Sequence, residues 1–419
     1  MKNESRIAIR KFDLERDFQP ALDVWQEIGW LESSKPEDNE GIKYFFEASE
    51  FLAGEVDSRL EATAGFIPAR LNYQGEELSL HALSGVVVSP LARKQGLAGR
   101  LVAKSLQQGA LRGYALSALL MFEQGYYNHL GYGTGGYEHI FTFDPAQLKV
   151  SREPAIPERI GAGDWEAIHQ SWLKRKKLHG FATPCPPGVI RDMVSWKKGK
   201  SYGLGYRNAD NEITHMMWLV REKGSHGPLE VSFLTYRNHE QLMELLALLK
   251  NLADQVFAVT LKEPADIQLR DLIKLPHKQS EVTKGSDYKY QSRAEAYWQA
   301  RVLNLEKCLK AVSLPGPEVS FNLELSDPVE KYLKPSDEWQ GLAGRYSVTL
   351  GQDSSVAEGF KEGLPVMECT VNAFSRLWLG VLSPGSLSRT EELAAPEGLL
   401  QGLGRLLALL PRPQLDWEF

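Results

Sequence analysis

The chain has 419 residues, too many for one ordinary domain, and at about 150 residues per domain it divides into two or three. Hydrophobic residues at 43% and charged residues at 24% exclude a wholly disordered chain. With 48 basic and 54 acidic residues the net charge is −6, which argues against a protein built to grip nucleic acid or an anionic membrane surface.

Residues 6–12 alternate polar and apolar, as a half-buried strand does, and Asp13 then reads as the N-cap of a helix carrying Leu22, Val24 and Trp25. Two β-rich runs, 60–73 and 78–89, flank Gln74-Gly75-Glu76 in a hairpin pattern. Residues 94–112 place Leu97, Leu101, Val102, Leu106 and Ala110 on one helical face, and 116–122 is a short apolar strand. Strand, helix and strand over this length predict a βαβ unit with a parallel pair. A second block repeats the flavour, with helices at 165–177 and 241–253 and strands at 201–206, 216–221, 230–236 and 256–261. Residues 278–295 are polar and read as a linker. A third block follows, with strands at 318–325, 346–351 and 367–371 and a helix-rich tail ending in Leu415-Asp416-Trp417-Glu418-Phe419. The expected units are 1–150, 151–290 and 291–419, of mixed α/β class. The amino terminus is charged, and no run of about 18 apolar residues occurs, so a soluble cytoplasmic protein is predicted.

The chemistry is concentrated at 83–100. An apolar strand is stopped by Pro90, a basic loop follows, and a helix starts near Gly96. Such a start offers unpaired backbone N–H groups and the positive end of the helix dipole, and glycine or alanine there lets a phosphate approach. Arg93 and Lys94 add charge at the same place, with Arg100 one turn on. By spacing alone, a pyrophosphate site and an ordinary strand-to-helix turn fit equally. Gly131-Tyr-Gly-Thr-Gly-Gly136 matches Gly-x-Gly-x-x-Gly but precedes a strand-like run at 137–143, so it reads as a turn. Cys185, Cys308 and Cys369 are scattered, with no Cys-x-x-Cys, and the nine histidines show no ligand spacing, so no metal and no disulfide framework is predicted.

Arg93-x-x-Gly96-x-Ala98 after a valine-rich strand resembles the acetyl-CoA signature of the GCN5-related N-acetyltransferases (GNAT). The following Leu120-Met-Phe122-Glu123 and Gly125-Tyr-Tyr127-Asn-His-Leu-Gly131-Tyr132-Gly133 resemble the Enhanced intracellular survival (Eis) type of that family. The close match covers residues 80–137. The resemblance implies tandem GNAT-like domains, the second without a cofactor motif, and a sterol-carrier-like C-terminal domain. It implies acetyl-CoA as cosubstrate, contacted by Val86, Val87, Val88, Arg93, Lys94, Gln95, Gly96, Leu97, Ala98, Gly99, Phe122 and Glu123. It makes Tyr127 the general acid and the carboxylate of Phe419 the general base. It implies a homo-hexamer and an amine acceptor such as an aminoglycoside, a polyamine-like compound or a lysine, while the expectation of no nucleic acid and no membrane partner rests on the charge balance and the lack of a long apolar run.

From the residues themselves, Tyr126 and Tyr132 stay open beside Tyr127 as the working phenol. The alternating Leu415, Trp417 and Phe419 read as a docked tail, and Asp416 and Glu418 as charge that draws a cationic substrate. At 236–240 the second block has no glycine and places Glu240 where a phosphate would sit, in keeping with a lost cofactor site. A non-catalytic acyl-CoA sensor and a lipid-binding C-terminal block are the competing expectations.

Overall fold

The alternation of the first residues forms strand β1 (Ile7–Lys11). Asp13 then caps helix α1 (Leu14–Glu27), its Oδ1 accepting from the backbone N–H of Glu15 and of Arg16, both at 3.1 Å. Helix α2 (Glu40–Ala48), absent from the sequence reading, buries Ile42, Phe45 and Phe46. Strand β2 (Glu50–Val56) leads into the hairpin of β3 (Arg59–Tyr73) and β4 (Glu76–Val88). Its two-residue turn, Gln74 and Gly75, runs at φ of +51° and +100°, which suits the twist of the flanking strands. Helix α3 (Leu97–Leu111) and strand β5 (Leu116–Leu120) complete the predicted βαβ unit, with β5 parallel to β4. The computed structural model describes residues 7–121, 123, 125–195, 199–221, 228–276 and 289–419.

The described residues form three sheets. The first, of eight strands, orders β1 to β5 in sequence, followed by Trp298–Val302 and Gly133–Thr134, while Ala182–Pro184 pairs with β3. Gly133 therefore belongs to a short strand, where the sequence suggested a turn. The second sheet orders Gln291–Glu295, Glu138–Phe143, Val259–Lys262, Leu229–Thr235, Ile213–Val220, Ser201–Arg207 and Glu158–Ile160. Its parallel pair, Leu229–Thr235 with Val259–Lys262, is bridged by helix His239–Asn251, the same βαβ arrangement as in the first sheet. The third sheet, of five strands, is built on Val319–Ser326 and carries the C-terminal helices Val371–Trp378, Pro384–Thr390 and Glu397–Leu407.

By contacts the chain falls into two compact units, Met1–Gly136 with Leu178–Pro186 and Tyr297–Phe419, and Tyr137–Lys177 with Pro187–Ala296. The divisions expected at 150 and 290 lie elsewhere. Glu138–Phe143 pairs within the second sheet and Trp298–Val302 within the first, because backbone pairing selects partners that alternation along one strand does not encode. The expected linker also changes character in part. Gln291–Glu295 is an edge strand whose polar side chains face water, while 277–288 lies outside the described residues.

Candidate active site

Strand β4 is paired with β5 only from Leu80 to Ala82. Beyond that the two strands part, and the β5-facing edge of 83–88 is left without a strand partner. The cause is local. Between Ser84 and Val87 two residues of β4 oppose one of β3, a β-bulge that bends the strand. Thr63 Oγ1 donates to the Gly85 carbonyl at 2.8 Å, and Trp25 Nε1 donates to that hydroxyl at 3.1 Å, so buried side chains hold the bulge.

The chain then makes a short 3₁₀ turn, Pro90–Ala92, and reaches α3 through Lys94 and Gly96, both left-handed at φ +63° and +73°. Left-handed backbone is natural for glycine and costs a lysine of order 1 kcal/mol, so the bend at Lys94 is held by its surroundings. No side chain caps the first turn of α3, which leaves its N–H groups and the positive end of the dipole directed outward. The equivalent junction in the second unit is closed. Asn238 Oδ1 accepts from Gln241 N at 3.0 Å and Gln241 Oε1 accepts from Arg237 N at 2.7 Å, so those donors are already used.

A cavity of about 650 Å³ opens beside the end of β4. Val86, Val87 and Val88 line it, as do Arg93, Lys94, Gly96, Leu97, Ala98 and Glu123. Tyr126 and Tyr127 also line it, Tyr127 on a 3₁₀ turn, Tyr127–Leu130, in one apolar cluster with Leu83, Val102 and Leu130. Tyr127 is 4% exposed, and burial, with the neighbouring Tyr132 and Tyr126 phenols, pushes its hydroxyl well above the ordinary tyrosine value. Tyr126, half-buried and 5.1 Å away between ring centroids, is pushed up to about 12 by burial. Tyr132 is fully buried and does not line the cavity. Its hydroxyl is 2.7 Å from Ser117 Oγ, which in turn lies 3.0 Å from Nδ1 of the buried His81, whose pKa burial pushes down to about 3. Of the three phenols left open by the sequence, two face the cavity.

Residues 8–135 match the family described as acetyltransferase (GNAT) domain. That stretch of the chain is similar to a GNAT domain. Over 150 residues it is 26% identical to an uncharacterized N-acetyltransferase of Streptomyces griseus, a match spanning 35% of each chain, so only about a third of that curated relative is matched. The whole fold is shared with a probable N-acyltransferase from Enterococcus faecalis (17% identity, TM-score 0.81, 99% of this chain and 100% of that one). It is likewise shared with Eis1 from Mycobacterium abscessus (18% identity, TM-score 0.77, the same coverage). Their likeness covers both compact units and is one of fold.

Other expected residues of the GNAT domain sit elsewhere. Gln95 is exposed, with Nε2 donating back to the Leu91 carbonyl at 3.1 Å. Gly99 is buried against Tyr332; a Cβ there would lie 2.4 Å from that ring, so its glycine serves close packing and not the cavity. Phe122 lies outside the described residues. Arg100 lines a different cavity. The tail is docked as expected, with Leu415 and Trp417 both 1% exposed, but Phe419 does not line the Tyr127 cavity, and its ring is 4.6 Å from that of Trp417. Asp416 Oδ1 accepts from Ala182 N at 3.0 Å, so this acid helps to anchor the tail. Ile28, Trp30 and Ala92 also line the cavity. No sequence signal marks Ile28 or Trp30, which stand more than fifty residues before the motif.

Among the described residues no group of three His, Cys, Asp or Glu side chains could hold a metal ion, and no helix is long and apolar enough to cross a membrane.

Proposed function

We propose that the chain moves an acetyl group from acetyl-CoA to a primary amine by direct attack within a ternary complex. The reading rests on one observation: the unpaired edge of β4, the uncapped start of α3 and the Tyr127 side chain line a single cavity. Arg93, Lys94 and the α3 start would take the cofactor's pyrophosphate. Val86–Val88 would lie along its thioester arm, with backbone N–H groups available to the oxyanion. The amine nitrogen bonds to the carbonyl carbon, the carbon–sulfur bond breaks, a base takes the amine proton, and the Tyr127 phenol gives its proton to the departing sulfur. Burial keeps that phenol protonated. The same apolar surroundings raise the proton affinity of the thiolate, so donor and acceptor stay matched. Trp30, 37% exposed, and Glu123 at the same cavity favour a cationic acceptor, in keeping with aminoglycosides, polyamine-like amines or lysines. The hexamer and the sterol-carrier-like C-terminal block belong to the same proposal.

Thiol release from acetyl-CoA across a panel of such amines tests this. Amine-dependent release is expected. Acetyl-CoA raising the Tm with no release on any amine would replace transferase with acyl-CoA sensor.

Gly96 and Gly99 separate binding from packing. A Cβ on Gly96 meets nothing within 4 Å, so Gly96→Ala strains only the left-handed backbone and places a methyl among the cavity-lining groups. Losing one charge-assisted contact is expected to raise the acetyl-CoA KM about tenfold. Gly99→Ala, which collides with Tyr332, is expected to lower Tm and leave KM alone.

Two groups compete for the base. The resemblance assigns the Phe419 carboxylate, whereas Glu123 is the one carboxylate among the described cavity-lining residues. Appending one glycine after Phe419 moves the terminal carboxylate by about 3.5 Å. A loss of kcat of about tenfold or more in that variant, with Glu123→Gln active, assigns the terminus. The opposite pattern assigns Glu123.

A further inference from the structure

A second cavity, of about 370 Å³, lies in the first unit on the flank of α3 away from the Tyr127 cavity. Arg100 and Lys104 reach it from successive turns of α3, Arg10 and Lys11 from the edge strand β1, and Lys334 from the segment after Tyr332. Asp337 is the one acid that lines it. Two of these charges are compensated within the protein. Arg10 bonds Asp17 at 2.5 and 2.8 Å and Glu55 at 2.6 Å, and Asp337 accepts from Lys334 N at 2.7 Å with Lys104 Nζ 3.9 Å away. Lys11 and Arg100 have no acidic partner among the described residues, and Lys334 shares the single carboxylate of Asp337 with Lys104. Arg100 Nε is in addition buried without a hydrogen bond. A buried donor left unpaired is unfavourable, and an excess of cations around one hollow is mutually repulsive. Both costs vanish when an anion is seated there. Apart from the Gln108 amide the remaining wall is apolar, formed by Ile7, Ile9, Leu52, Leu333 and the ring of Tyr332. Such a wall accepts a flat or aliphatic body and would leave a bare inorganic ion without half of its contacts.

We propose that this cavity is a second ligand site, for a small phosphate monoester whose phosphate sits on Arg100, Lys11 and Lys334 and whose organic body lies on Tyr332 and Leu52. The site is separate from the acetyl-transfer reading and stands or falls without it. Calorimetric titration of the full chain with phenyl phosphate and with inorganic phosphate tests it. Lys11→Ala/Lys334→Ala removes two exposed cations of this cavity, and Arg93→Gln/Lys94→Gln removes two of the Tyr127 cavity; neither pair touches the core. The wild type is expected to bind phenyl phosphate more tightly than inorganic phosphate. The first variant is expected to lose at least about tenfold in that affinity and the second to keep it. Binding lost only in the Arg93/Lys94 variant, or no binding to the wild type, overturns the proposal. Equal affinity for the two probes overturns the organic body and leaves an inorganic anion site.

Discussion

Tyr127→Phe is expected to lower acetyl-transfer turnover by about 10²–10⁴-fold, the usual contribution of a positioned general acid. The ring fills the cluster with Leu83, Val102 and Leu130, and phenylalanine keeps that volume. The hydroxyl has no hydrogen-bond partner among the described residues, so its removal strands no donor in the core. Tm and the acetyl-CoA KM should therefore stay near wild-type values, which separates lost chemistry from lost structure. Tyr126→Phe, altering the neighbouring cavity phenol, is expected to change turnover by less than about tenfold if Tyr127 carries the proton. The pH profile adds a second readout. Because burial raises the Tyr127 pKa, the acid stays protonated, and turnover should rise with pH as the amine and base deprotonate and show no alkaline fall below about pH 10. Turnover of Tyr127→Phe within threefold of wild type would remove the tyrosine from the mechanism.

Asp327→Ala is expected to destabilise the first unit by about 3–5 kcal/mol, because it strands a buried guanidinium. Arg301 and Asp327 are both fully buried, with Nη2 2.6 Å from Oδ2 and Nη1 3.3 Å from Oδ1. The carboxylate also accepts from the backbone N–H of Val329 at 3.2 Å and of Leu342 at 2.9 Å. At this size the cost lowers Tm on the order of 10 °C, measurable by calorimetry. The consequence reaches the candidate site, since Arg301 Nη1 also donates to the Leu130 carbonyl, the last residue of the Tyr127 turn. Asn372 Nδ2 donates to the Asn128 carbonyl at 2.9 Å, and Gln299 Nε2 to Asn128 Oδ1 at 3.0 Å. Three side chains from beyond residue 297 thus hold the turn that carries the phenol. Arg301→Met/Asp327→Leu removes both charges and should recover much of the stability, as apolar replacements of buried pairs often do. It does not restore the tie to Leu130, so turnover should remain low. Full recovery of turnover in the double variant would show that the pair serves only stability.

The sequence by itself determined the parts of the candidate site that are contiguous. The run from Val86 to Ala98 is a strand, a turn and a helix start within about a dozen residues, and each step rests on local chemistry: Pro90 ends the strand, and Gly96 takes the left-handed bend. Tyr127 lies in one short motif, four residues before Gly131, but its choice over Tyr126 and Tyr132 came from the family resemblance and not from local chemistry. The hairpin at Gln74-Gly75 and the cap at Asp13 are likewise local, as is the apolar alternation that docks Leu415 and Trp417.

Tertiary structure decided everything that depends on which distant segments meet. Strand Trp298–Val302 beside β5, and Glu138–Phe143 in the second sheet, follow from backbone pairing, which any extended segment offers and alternation cannot direct. Nothing in the sequence marks Arg301, and only the fold removes it from water and sets it on Asp327 and Leu130. Arg100 reads as a charge one turn on from Arg93 and Lys94, yet that turn of α3 carries its side chain around the helix into another cavity, lined also by strand β1 and the 332–337 segment. A helix start announces itself by its residues, whereas the direction of a side chain acquires meaning only from what packs opposite it.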